Sequence, residues 1–72
     1  MKKVFEMEDL DCANCAAKME EGIRKIEGVN SANVNFLTQK LTLDAEESRL
    51  DSILDEAERI IQKIEPDCVL KR

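Results

Sequence analysis

From Leu50 to Ile64 the apolar residues Leu50, Ile53, Leu54, Ala57, Ile60, Ile61 and Ile64 recur with the 3.6-residue period of a single helix face. A helix with one apolar stripe must bury that stripe against another layer. The preceding Ser48-Arg49-Leu50-Asp51 reads as a capping signature at its start, and Pro66 ends it because proline supplies no N–H and clashes with the preceding turn. Within these 72 residues, two helices on a small sheet would bury most of the hydrophobic side chains. Chains this small have marginal cores, and here the Ile, Leu and Val supply is just sufficient.

The rest of the chain supplies that layer. Val4 to Glu8 alternates, with Phe5 and Met7 on one face, as a strand does. Asp9 to Asn14 is polar and small and reads as a loop. Ala16, Met19, Ile23 and Ile26 then recur at helical spacing, and Gly28 is placed to close that helix as its C′ residue. Ala32, Val34 and Phe36 alternate with asparagines, and Leu41 and Leu43 alternate with Thr42 and Asp44. With Leu37 to Gln39 as the turn, these form a hairpin. Cys68 to Lys71 is a short last strand. The order β-α-β-β-α-β predicts a single α+β domain over residues 1–72: a ferredoxin-like two-layer sandwich, with both helices on one face of a four-stranded antiparallel sheet.

Chemistry is concentrated at Asp11-Cys12-Ala13-Asn14-Cys15, on the loop that opens the first helix. Two thiols three positions apart can close around one soft or borderline ion. Cys15 falls in the first helical turn, where N–H groups and the helix dipole favour a thiolate, and Cys12 lies just outside it. A C-x-x-C at a helix start also suits thiol–disulfide exchange, so a small oxidoreductase is the competitor from another class. The chain is short for a thioredoxin-like domain and has no Trp beside the motif.

Composition removes other classes. The formal net charge is −5, from 11 basic and 16 acidic residues, and aromatic content is 3%. Neither a basic footprint for phosphates nor a stacking platform for bases is present, which argues against nucleic acid, and an anionic membrane would repel the chain. Three cysteines are an odd number for a secreted disulfide framework. Acidic residues from Glu6 onward interrupt any signal-like apolar run, and no stretch approaches a membrane span. The expected compartment is the cytoplasm, as a free domain or as the cytosolic part of a membrane protein.

The ordered set D-L-D-C-A-N-C-A-A-K-M-E, I-E-G-V and V-N-F-L-T-Q-K-L-T-L, inside this element order, resembles the heavy-metal-associated domain, from about Val4 to Leu70. Such domains occur at the N-termini of metal-transporting P-type ATPases and as small cytosolic metallochaperones. The resemblance implies that Cys12 and Cys15 are metal ligands. Copper members usually carry Gly-Met-Thr or Gly-Met-Ser where this chain has Asp9, Leu10 and Asp11. Asp-Cys-x-x-Cys is the variant of zinc, cadmium and lead exporters, with the Asp as a ligand. Leu10 replaces the usual Met and should pack beneath the loop. Glu65-Pro66-Asp67 stands where copper members often have Lys, Tyr or Phe.

The donor set agrees with that implication. Zinc accepts carboxylate beside thiolate, whereas Cu(I) prefers sulfur. Two thiolates and one carboxylate sum to −3, which suits Zn(II), Cd(II) or Pb(II) better than Cu(I). The competing role for Asp11 is a solvated loop residue or a helix cap. A tetrahedral ion would still lack one ligand, which Cys68, Glu8, Asp9, Asp67, water or a partner's residue could supply. Cys68 shares strand parity with Leu70, so it is expected as a core thiol near the site rather than a ligand. The expected protein is a non-enzymatic domain that delivers or senses one divalent ion for a metal-transporting ATPase, or exchanges it with a donor or acceptor protein. It is expected as a monomer, with a metal-bridged dimer as the other state. The alternatives are a free-standing copper(I) or zinc chaperone, the oxidoreductase, and a structural zinc module, for which the Cys/His count is too low.

Overall fold

The computed structural model describes residues 2–71. Strand β1 spans Lys2–Glu8, helix α1 Ala13–Arg24, β2 Val29–Asn35, β3 Lys40–Ala45, helix α2 Leu50–Ile64 and β4 Val69–Lys71. The four strands form one antiparallel sheet in the order β2-β3-β1-β4. This is the ferredoxin-like sandwich that the order of periodicities predicts.

Strand alternation sets the two faces of the sheet. Phe5, Met7, Ala32, Val34, Leu41, Leu43 and Leu70 face the helices and are buried or half-buried, and Val4, with Thr42 opposite it in β3, lies on the open face. The helices contribute Ala16, Met19 and Ile23 from α1 and Ile53, Leu54, Ala57 and Ile61 from α2. Met7 and Met19 are core residues, and Leu10 is fully buried beneath its loop, as its size suggested. The helices approach closely at Gly22, where an added Cβ would lie 3.0 Å from Ile60 Cγ2.

Several local boundaries differ from expectation. Helix α1 begins at Ala13, inside the stretch read as loop, with Cys12 as its N-cap. It ends at Arg24 with Lys25 as C-cap, so Gly28 is not the C′ residue. Ile26 instead packs against the core after the helix, and Gly28, at φ +96°, turns the chain into β2. Ser48 makes no capping bond. A short 3₁₀ turn at Glu47–Arg49 leads into α2, and the Arg49 N–H donates to the Glu46 carbonyl at 3.0 Å, so backbone replaces the expected side-chain cap. Phe36 lies beyond β2 because Asn35 Oδ1 accepts from the Leu37 and Thr38 N–H groups and starts the turn one residue early.

The core depends on a few large side chains. Ile61→Ala removes a side chain that is 1% exposed and should destabilise by about 2–5 kcal/mol. Val4→Thr, at a position 59% exposed, should change stability by less than about 0.5 kcal/mol. Urea midpoints compared at equal slope test the contrast, and similar shifts for the two variants would contradict the assignment of faces.

Candidate metal centre

The sheet register brings three connections to one end of the molecule. Strand β1 runs out at Glu8, β3 begins at Lys40 opposite Glu6, and β4 begins at Val69 opposite Glu8. The β1–α1 loop (9–12), the β2–β3 turn (36–39) and the α2–β4 connection (65–68) are therefore neighbours.

Within the first of these, Asp9 takes the left-handed conformation (φ +59°), which Asp tolerates better than most residues, and Leu10 plugs into the core. Asp11 is exposed, and Cys12 and Cys15 are half-buried. Cys12 has extended backbone (φ −124°, ψ 120°), and its Sγ accepts from the Cys15 N–H at 3.3 Å. A sulfur thus occupies the capping position that an Asp or Ser oxygen usually fills.

This geometry divides the two thiols. The Cys12 thiol is lowered from its usual range, first by the hydrogen bond from the Cys15 thiol and then by the Cys15 backbone N–H. The Cys15 thiol is pushed up to about 11, first by that same bond to Cys12, then by burial and by the Glu65 carboxylate. Of the two thiols, Cys12 is therefore the one that ionises more readily. The sequence placed the favoured thiolate at Cys15. The N-cap role of Cys12 reverses that assignment, because N-terminal N–H groups converge on the capping atom.

Cys68 is 1% exposed and lines the core beneath this end, as its parity with Leu70 implied. Burial raises its thiol, followed by the charges of Glu65, Asp9 and Asp11. The structure therefore brings Cys12 and Cys15 together, seats Cys68 in the core nearby and leaves the Asp11 carboxylate at the surface. Among the described residues, no three Cys, Asp, Glu or His side chains converge on one point. Glu65, noted in the sequence only as part of the segment where copper members often have Lys, Tyr or Phe, caps the C-terminus of α2 and raises the Cys15 thiol. Gln39, which bonds the backbone of Leu10, escaped the reading of the sequence as part of this site. It carried no local signal, since the contact bridges distant segments.

In donor chemistry, two thiols at a helix N-terminus fit a soft or borderline metal ion. The division of the thiols has a direct test. Under reducing, metal-free conditions near pH 8, iodoacetamide should label Cys12 first, Cys15 more slowly and Cys68 last, as followed by peptide mass spectrometry. Cys15 labelling should accelerate as pH rises toward 11. Faster labelling of Cys15 than Cys12 at pH 8 would contradict the capping geometry.

Comparison with known proteins agrees with the fold. The profile of the heavy-metal-associated domain matches residues 4–69. A cadmium, zinc and cobalt-transporting ATPase of Bacillus subtilis is 31% identical over all 72 residues, which span 10% of that protein's length. Among solved structures, the N-terminal domain of ZntA in its Zn(II) form is 31% identical with a TM-score of 0.71, covering 97% of this chain and 88% of the other. The Cu(I)-loaded N-terminal domain of a potential copper-translocating P-type ATPase from Bacillus subtilis is 30% identical with a TM-score of 0.75, covering 97% and 82%. A profile match over nearly the whole chain, on this fold and with ATPase N-terminal domains as relatives, makes the chain a member of the heavy-metal-associated domain family.

Proposed function

We propose that this metal-binding domain takes one divalent ion, Zn(II), Cd(II) or Pb(II), as cargo on its Asp11–Cys15 loop and delivers it to, or reports it to, a metal-transporting P-type ATPase in the cytoplasm. The observation that carries the reading is the hydrogen-bonded Cys12–Cys15 pair at the N-terminus of α1, with Asp11 next to it in the chain. Cys12 and Cys15 would bind through sulfur. Asp11, exposed and free to change rotamer, would bring its carboxylate to the ion.

The chemistry follows from the apo geometry. Cys12, the more readily ionised thiol, meets the ion first. The positive charge then drives the remaining proton from Cys15, because a cation stabilises a thiolate more than a neighbouring thiol does. Half-exposed sulfurs leave an approach for a ligand from an acceptor, so the ion could pass on by stepwise exchange without unfolding the loop. Similarity to the cadmium, zinc and cobalt transporter supports a divalent cargo. The comparable likeness to a Cu(I)-loaded domain favours a second reading, a copper(I) carrier that uses the two thiols alone.

Competitive titration of the reduced protein with Zn(II), Cd(II), Pb(II) and Cu(I), alongside Asp11→Ala, separates the two. The divalent reading predicts one ion per chain and a loss in the variant of at least about tenfold for divalent ions, the cost of disturbing even an outer partner of a ligand. Cu(I) affinity should be unchanged. Equal affinities for divalent ions in the two proteins would remove Asp11 from the site and favour the copper reading.

A further inference from the structure

Gln39 ends the β2–β3 turn, 29 positions along the chain from Leu10. The Leu10 N–H donates to Gln39 Oε1 at 3.2 Å, and Gln39 Nε2 donates to the Leu10 carbonyl and, at 3.4 Å, to the Phe36 carbonyl. The orientation of the amide is set by chemistry, because an N–H can only donate and so must face the oxygen. One side chain therefore satisfies both backbone groups of a residue inside the metal loop, as a neighbouring strand would.

The amide is itself held in place. The Met7 N–H donates to the Gln39 carbonyl at 2.8 Å, which extends the β1–β3 pairing by one bond. The Gln39 backbone lies at φ +57°, a region that a non-glycine residue occupies at some cost and keeps only where its surroundings fix it. Here that conformation closes the turn and aims the amide at Leu10.

Leu10 separates Asp9 (φ +59°) from Asp11. Its buried side chain anchors it in the core, and the Gln39 amide fixes the peptide planes on both sides of it. The second of those planes carries the Cα of Asp11. The two thiols, in contrast, are tied to each other and to α1 through the Cys12 cap. Loosening the loop at Leu10 would disturb the carboxylate before it disturbed the sulfurs.

We propose that Gln39 is a positioning residue that favours divalent ions over Cu(I), by confining the backbone from which Asp11 reaches the ion; this rests on the ligand role proposed for Asp11. Ions that use the carboxylate depend on the Gln39 bonds, and Cu(I), held by sulfur alone, does not.

The test compares Gln39→Met, which keeps length without an amide, and Gln39→Glu, which keeps an acceptor for the Leu10 N–H but no donor for its carbonyl. Asp11→Ala and the double variant Asp11→Ala/Gln39→Met complete the set. Zn(II) and Cu(I) affinities are measured by competition, and folding by circular dichroism and amide NMR spectra. Gln39→Met should lose about tenfold in Zn(II) affinity, the scale of an outer partner of a ligand, with Cu(I) affinity unchanged. Gln39→Glu should fall between it and the parent, and adding Gln39→Met to Asp11→Ala should change neither affinity further. Equal losses for Zn(II) and Cu(I), a Zn(II) loss that persists without Asp11, or unfolding of both Gln39 variants would overturn the proposal and leave Gln39 a structural residue. If Asp11→Ala alone left the Zn(II)/Cu(I) ratio unchanged, the Asp11 ligand role would fail, and the Gln39 proposal with it. A changed ratio in Asp11→Ala but not in Gln39→Met would defeat the Gln39 proposal alone.

Discussion

The burial of Leu10 is the contact on which the candidate site depends. A fully buried side chain in the middle of an otherwise polar loop ties that loop to the same core that joins the helices to the sheet. It fixes where the chain leaves the sheet and where α1 begins. Asp9 turns left-handed on one side, and Asp11 emerges at the surface on the other. A polar residue in place of Leu10 would remove that anchor and leave the loop held by its ends at β1 and α1 and by the Gln39 bonds.

Electrostatics at that end of the molecule follow from the same placement. The N-terminus of α1 draws negative charge onto Cys12, and the carboxylates of Glu65, Asp9 and Asp11 lie close enough to raise the buried thiol of Cys68. An acidic rim attracts cations, while the protonated Cys68 below behaves as a small apolar residue in the core. Two chemically identical side chains only three positions apart thus differ in readiness to ionise, because one caps a helix and the other donates to that cap. In the proposed reading this asymmetry gives metal loading an order, from the more readily ionised Cys12 to Cys15.

Most of the architecture was legible in the sequence because it rests on periodicity. The stripe from Leu50 to Ile64 and the alternation through Ala32, Val34, Leu41 and Leu43 each follow from a repeat that water enforces locally. That the two thiols lie together at a helix start was legible from their spacing and from the apolar period that follows them. What escaped were contacts that need the tertiary structure. Cysteine is not a usual N-cap, so nothing at Cys12 marked the start of α1. Ser48 carried a capping pattern that backbone bonds of the 3₁₀ turn made unnecessary. Gln39 looked like an ordinary turn residue until the register of β1 on β3 set it beside Leu10. Glu65 was noted only as standing where copper members often have Lys, Tyr or Phe, and its influence on Cys15 comes from its position as C-cap of α2.

The central claim is that two sulfurs and a carboxylate oxygen of this loop hold a divalent ion. X-ray absorption spectroscopy of the Zn(II)-loaded protein tests it most directly. The account predicts two sulfur neighbours at about 2.3 Å and a remaining shell of oxygen at about 2.0–2.2 Å. A shell of three or four sulfurs would contradict it, since the ion would then be held by Cys68 or by a second molecule rather than by Asp11, Cys12 and Cys15.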